Sequence, residues 1–371
     1  MRLCNGGSIL IAQQIGAGLQ ITPNASRLLK EWGLEQEVDR LGAEPTRLSV
    51  HRYSDGKVLA HEDDFHKQMR SKYGAPFVDM HRVDLQKMMY ARALELGVSV
   101  ELGARVASVS YDTAQPEVRL ESGKLYSCDL IVGADGLWSK CRESFLGKQD
   151  APLPTGDLAY RIVLTLDQIK DPELREWVEK PACHFWIGPG AHAVGYSLRA
   201  GTMYNIVLLC PDDLPEHVSK QAASTQEMKE LFVDWDPILT RFLDLVDTVD
   251  KWRLMHRGEV ERWTNDEGSF VLIGDSCHPM LPYLAQGANS SLEDGAVLGR
   301  ILSYVTDKSQ LSHAIKLYES VRKSRSEKIV RETFHQRDAF HMQNGPEQED
   351  RDALFAAQLG KPVSTKFPSR W

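Results

Sequence analysis

No run of five or more lysines and arginines interrupts this sequence, and its formal net charge is -8. It therefore lacks the basic footprint by which proteins hold nucleic acid or an anionic membrane surface. No apolar stretch approaches the roughly 20 residues of a bilayer-spanning helix, and the opening Met1-Arg2-Leu3-Cys4-Asn5-Gly6-Gly7 has no signal-peptide core. The cysteines Cys4, Cys128, Cys141, Cys183, Cys210 and Cys277 are scattered, with no Cys-x-x-Cys pair. That spacing excludes a small disulfide scaffold and reads as reduced thiols. The expectation is a cytoplasmic protein that neither spans a membrane nor binds nucleic acid, and the sequence carries no signal for its oligomeric state.

What is present suffices for two domains: 371 residues, 42% of them hydrophobic and 26% charged. Ser8 to Ala12 is a short apolar run of strand type, and Asn24 is placed to cap a helix from Ser26 to Trp32 that Gly33 ends. Leu85, Met88, Met89, Arg92 and Leu96 fall at three- and four-residue spacing, which predicts a helix over about 83–96, and a strand follows at 98–102. Hairpins follow at 106–111, 118–121 and 125–132, the last ending in the continuous apolar run of a buried parallel strand. Alternating segments such as Ala193 to Leu198 and Tyr204 to Leu209 predict a mostly antiparallel sheet between about Leu153 and Trp263. Phe270 to Ile273 returns to buried-strand character, with helices near 291–304 and 311–334 and a loosely packed tail over 343–371.

Two buried strands run straight into glycine and aspartate: Gly133-Ala134-Asp135-Gly136 and Gly274-Asp275-Ser276-Cys277-His278-Pro279. Small residues there permit close backbone approach, and a carboxylate at the carboxyl end of such a strand accepts hydrogen bonds from ribose hydroxyls. Either motif alone is more often a tight turn. The second continues through Pro282 and Gln286-Gly287-Ala288 into a helix whose first N–H groups are free for an anion or an electron-rich ring edge.

The run from Gly274 to Pro282 with Ala285-Gln286-Gly287-Ala288 resembles the second FAD motif of the group A flavoprotein monooxygenases, most closely the fungal salicylate-hydroxylase-like enzymes. Gly133 to Gly136 with Ser139 and Arg142 resembles the middle motif, associated with FAD and NAD(P)H. Gly16-Ala17-Gly18 through Ala25 resembles the segment after the first βαβ unit, and His81-Arg82-Val83-Asp84-Leu85 the helix start whose arginine contacts FAD. The resemblance implies an α/β protein, a discontinuous Rossmann-like FAD-binding domain (1–152 and 264–335) with an inserted, mostly antiparallel substrate sheet (153–263) and a tail (336–371). It also implies that NAD(P)H reduces FAD and that O2 then gives a C4a-hydroperoxide, which hydroxylates an electron-rich, usually phenolic, ring in a dry pocket.

By the same resemblance Gly16, Ala17, Gly18, Arg82, Asp135, Gly136, Asp275, Pro282, Gly287 and Ala288 are expected at FAD. Tyr160-Arg161-Ile162 and His192 to Tyr196 resemble the strands that carry a substrate arginine and its tyrosine. Arg161 and Tyr196 are thus the expected catalytic pair, Arg161 as a fixed donor to a phenolate or carboxylate. No metal is expected, since Cys277-His278 has no further ligand at workable spacing. Trp252, Trp263 and His256 read as edge or interface residues and Asp294 as a helix-surface or first-turn charge.

The family pattern begins with a strand, Gly-x-Gly-x-x-Gly, a helix and a second strand ending in an acidic residue. Only fifteen residues precede Gly16, against the about thirty of a βαβ unit, and Ile21 and Pro23 stand where the fingerprint would continue. A truncated gene model is the first expectation, a short form with weak FAD binding the second, and a non-catalytic binding protein the third.

Overall fold

Alternation decides the larger sheet. In the strand Leu153–Thr165 the side chains of Leu158, Tyr160, Ile162 and Leu164 are buried against Trp186, Ala193, Tyr204, Ile206, Leu208 and Phe242, while Arg161 and Val163 point to the opposite face. Burying one face of every strand fixes the register, because a one-residue slip would turn all of these residues outward. The computed structural model describes residues 2–5, 17–113 and 115–358. These form two compact units.

One unit comprises residues 17–85, Pro154–Leu254 and 334–358. Its sheet has eight strands in the order Lys220–Ala223, Val249–His256, Leu153–Thr165, Met203–Pro211, Ala191–Leu198, Ala182–Gly188, Arg47–Arg52 and Val58–Asp63. Pairing is antiparallel from Leu153–Thr165 through to Ala182–Gly188, and parallel where Ala182–Gly188 meets Arg47–Arg52. The sheet is therefore mostly antiparallel, as expected, but it recruits two strands from far upstream that the local pattern did not assign to it. A two-stranded ribbon, Gly18–Ile21 against Val78–His81, belongs to the same unit.

The other unit comprises the strand Arg2–Asn5 with Gln86–Leu153 and Met255–Thr333. Arg2–Asn5 pairs parallel with Ser99–Leu102, and Ile131–Gly133 parallel with Phe270–Leu272. Beside them lies a three-stranded antiparallel sheet, Val106–Ser110, Glu117–Leu120 and Leu125–Ser127. The core gathers Ile131, Trp263, Phe270, Leu272, Leu298, Ile315 and Tyr318. Trp263, expected at an edge, is completely buried. The α/β class follows from these elements, and among the described residues no helix is long and apolar enough to cross a membrane.

Three local expectations change. The first helix is Pro23–Glu31 and its cap position is Thr22, because Pro23 has the fixed φ and missing N–H suited to a first helical residue. The stretch from Gln343 is not simply a tail: Pro346–Gln358 is a helix whose Phe355 packs on the Val50–Leu59–Phe340 cluster and whose Arg351 donates to the Ala339 carbonyl at 2.6 Å. Two contact residues four apart make too sparse a pattern to read as an apolar face. The preceding helix, Leu311–Phe340, also runs past 335. Ser8 to Ala12, Gly16 and 359–371 lie outside the described residues.

Trp186 anchors the packed face of the larger sheet. Its indole Nε1 donates to Asp236 Oδ2 at 2.6 Å, and Asp236 Oδ1 accepts from the Ile238 amide at 3.0 Å, capping the helix Pro237–Asp244. Trp186→Phe leaves a carboxylate oxygen unpartnered beside a void, and a loss of about 2–4 kcal/mol is expected. The urea midpoint measures it.

Candidate active site

The strand register places Arg161 and Tyr196 on one face of the sheet. Arg161 is opposite Val207, and Val207 is opposite Val194. One pleat step along, Asn205 is opposite Tyr196, and Tyr196 is opposite Cys183. Arg161, Val163, Val194 and Val207 are each partly exposed, whereas Tyr196 and Asn205 are buried. The face thus has an open apolar end with one cation and a closed polar end.

Arg161 makes no hydrogen bond or ion pair among the described residues. Its guanidinium lies over the ring of Trp252, 5.6 Å from the centroid. Burial, with Arg82 near by, pushes its pKa down to about 10, against a smaller opposing pull from Tyr196. Burial also raises the Tyr196 phenol, with Asp79 and Cys183 adding to the effect, so Tyr196 is a neutral donor at ordinary pH.

The ribbon closes the Tyr196 end. A side chain at Gly18 would come within 2.5 Å of the Tyr196 ring and 3.0 Å of Asn205, and the Gly18 amide donates to Asn205 Oδ1 at 2.7 Å. Packing therefore demands the glycine here. Two residues on, Gln20 Nε2 donates to Asp79 Oδ1 at 3.0 Å and touches Cys183 Sγ at 3.2 Å. Asp79 is wholly buried with Oδ2 unpartnered, and burial raises its carboxyl well above the usual range. Ala17 is buried and its carbonyl accepts from the Arg82 amide at 3.3 Å, while the Arg82 side chain is exposed at the head of the helix Arg82–Glu95.

In the other unit the Gly274–Asp275 turn ends the buried strand Phe270–Leu272. Gly274 has φ +61° and sits so close to the helix Gly287–Leu302 that a Cβ would lie 2.9 Å from Ser291 Oγ. Asp275 and Pro282 are exposed between buried neighbours, Ala288 is exposed beside the partly buried Gly287, and the first turn of that helix carries no acidic residue. A carboxylate for sugar-chain hydroxyls beside an unopposed helix N-terminus fits the ribityl and flavin portions of FAD.

The turn is held by Asp294, which is buried completely and is not the surface charge its position in a helix suggested. Asp294 Oδ2 accepts from the Gly274 amide at 2.8 Å and lies 2.5 Å from His278 Nε2; Oδ1 accepts from Arg322 Nε at 2.7 Å. Arg322 also donates to Glu293 at 2.6 Å. Cys277, His278 and Asp294 do bring three ligand-type atoms within 4.8 Å, a third partner the sequence did not reveal. Asp294 is engaged by His278, Arg322 and the Gly274 amide, and Cys277 Sγ by the Gly274 carbonyl at 3.4 Å, whereas His278 Nδ1 has no partner among the described residues.

Asp135 is spent similarly. Its Oδ2 accepts from the Lys140 and Cys141 amides at 2.8 and 3.0 Å and its Oδ1 from Ser139, whose own hydroxyl caps the helix Lys140–Leu146. Gly136 supplies the φ of +76° that turns the chain into this cap. Arg142, also buried, donates to Asp150 at 2.6 Å and to the Gly258 carbonyl at 2.7 Å. Asn205, Gln20, Asp79 and Arg322 were not singled out from sequence, and Trp252 was read only as an edge or interface residue. Alternation alone marks Asn205 as facing with Val207, but only strand register puts either beside Arg161.

Comparison with known proteins shows the family to which the chain belongs. A family model described as FAD binding domain matches residues 14–333. The chain is 48% identical over 360 residues to the FAD-dependent monooxygenase OpS4 of Beauveria bassiana (strain ARSEF 2860), covering 96% of this chain and 84% of that protein. It is 30% identical to the 3-amino-4-hydroxybenzoate 2-monooxygenase of Streptomyces cremeus, over 92% and 82% of the two chains. A salicylate hydroxylase substrate complex superposes with a TM-score of 0.78 over 92% of this chain and 85% of that one, at 20% identity, a likeness of fold.

Burial by itself would raise the Asp294 carboxyl, but the His278 hydrogen bond and charge, together with Arg322, outweigh it and hold Asp294 below the usual range. Its stabilisation is accordingly present above the unfolded value of about 3.9 and lost as pH falls through the folded one. Asp294→Asn leaves Arg322 short of a buried charge partner and is expected to cost about 3 kcal/mol or more at neutral pH. Urea titrations at pH 7 and pH 3 check this, the difference between variant and wild type shrinking at the lower pH.

Proposed function

This chain belongs to the FAD-dependent aromatic-ring monooxygenases, and from that premise we propose that it hydroxylates an ionisable phenolic ring at the expense of NAD(P)H and O2. FAD, when bound, supplies the redox chemistry, taking electrons from NAD(P)H and passing one oxygen atom of O2 to the ring. In the unit of the Gly274 turn the residues we assign to it are Asp275, Pro282, Gly287 and Ala288, with Asp135 and Gly136 shaping the turn at the neighbouring strand end.

The observation that carries the reading is Arg161: a partly buried guanidinium, without an acidic partner among the described residues, on an open apolar patch of Val163, Val194 and Val207. Such a cation stabilises a phenolate or a ring carboxylate, and a phenolate is the electron-rich form that accepts electrophilic oxygen. Tyr196, kept neutral by burial, donates a hydrogen bond toward the same ring. The valines exclude water and orient the ring by shape. Tailoring of a phenolic secondary metabolite is the role we favour, by the resemblance of the motifs to those of fungal salicylate-hydroxylase-like enzymes.

Arg161→Ala should keep its flavin absorbance and lose about a hundredfold or more in hydroxylation rate, as removal of one fixed donor to a developing oxyanion does elsewhere. Product analysis across a hydroxybenzoate panel with NADH and NADPH reads this, and unchanged turnover in the variant refutes the assignment. Arg161 is charged below about pH 10 and loses its proton above it. KM for an anionic ring substrate is therefore expected to climb as pH passes about 10, in wild type but not in Arg161→Ala.

A further inference from the structure

Arg161 raises a physical question: what holds a guanidinium that no carboxylate holds? The strands Lys220–Ala223, Val249–His256 and Leu153–Thr165 are neighbours in the sheet. Lys220 is opposite Trp252 across the first pair. The Lys220 ammonium lies 4.4 Å and the Arg161 guanidinium 5.6 Å from the centre of the Trp252 ring. The two cations differ in one respect. Lys220 has Asp250 at 2.9 Å, whereas Arg161 has no carboxylate partner among the described residues and its guanidinium lies over the Trp252 ring.

An acidic partner would fix Arg161 more firmly, but it would also cancel the charge and compete with any anion that arrived. An indole face attracts the cation through its quadrupole and leaves the net charge intact. Trp252 is itself partly exposed, as are Arg161, Val163 and Val207. Its indole N–H has no partner among the described residues, so no hydrogen bond competes for the orientation of the ring.

We propose that Trp252 is the positioning residue for Arg161, and that this charge-preserving stack makes the site select ring substrates bearing an ionised group over neutral phenols of the same shape. The inference rests on the reading of Arg161 given above. It goes beyond it by naming the residue that sets the guanidinium and the substrate class that follows.

The test uses the FAD-loaded chain and three probes, salicylate, 3-hydroxybenzoate and the neutral 3-hydroxybenzyl alcohol, with binding followed by equilibrium dialysis. A cation over an indole is worth about two- to thirtyfold in a binding constant. Trp252→Leu should therefore weaken the carboxylates by roughly fivefold or more while shifting the alcohol by less than about twofold. Trp252→Phe, which keeps a π face, should recover part of the loss, and Trp252→Gln, flat but without a π face, should not; this pair decides the matter if the leucine variant does not fold. Equal weakening of the alcohol would mean that Trp252 only packs, and wild-type binding of the carboxylates in Trp252→Leu would remove the positioning role, either result overturning the inference. Arg161→Ala run beside them separates the two readings. If it weakens carboxylate binding and Trp252→Leu does not, the inference alone falls; if it weakens none of the probes, the assignment of Arg161 falls and takes the inference with it.

Discussion

A partly buried guanidinium without a counter-ion is costly, and the sheet face around Arg161 is arranged to tolerate one. Two contrasts show that this is not how the chain treats arginine elsewhere. Arg322 is buried with two carboxylates, Asp294 and Glu293, and Arg142 donates to Asp150 and to two backbone carbonyls. Both of those fasten segments of backbone together, and their charges are consumed in doing so. Arg161 fastens nothing. Its charge is left to act on something that is not part of the chain, which is why the chemistry of the site turns on it.

The same division explains the glycines and aspartates that resemble cofactor motifs. Gly274 brings its turn against the helix Gly287–Leu302, and Asp294 then grips the Gly274 amide, so that Asp275 projects outward from a rigid base. Asp135, by contrast, turns its oxygens inward to cap a helix. Both sit in a strand-to-glycine motif and both are exposed, and the helix cap made by the Asp135 oxygens is what the motif alone does not reveal.

Much of this was legible in the sequence because it is local. The helix Arg82–Glu95, the buried strands Ile131–Gly133 and Phe270–Leu272, and the strand carrying Tyr196 announce themselves by spacing within a dozen residues, whereas the strand of Arg161 was found through its resemblance to the family. What could not be read is long-range. Arg47–Arg52 joins Ala182–Gly188 across more than a hundred residues, and no periodicity encodes that pairing. Asp294 looked like a surface charge because its partners Gly274, His278 and Arg322 lie sixteen to twenty-eight positions away. Trp252 read as an edge residue until strand order put it next to Arg161. Gly18 was expected at FAD through the resemblance, and only the fold reveals the Tyr196 ring packed against it.

The polar end of the face completes the electrostatic argument. Asp79 is a carboxyl group on the same unit as Arg161, and ionised it would offset part of the positive potential on which anion binding depends. Complete burial opposes that by raising its pKa well above the usual carboxyl range, and its Oδ1 accepts from Gln20. Tyr196 is neutral for the same reason, while Arg82 adds a second positive charge. Burial thus acts in opposite senses at the two ends. It opposes ionisation of the acids at the Tyr196 end, whereas at the Arg161 end, less deeply covered, it lowers the guanidinium only to about 10 and leaves it charged throughout the working range of an enzyme. The positive character of the face is set by how deeply each group is covered as much as by which groups are there.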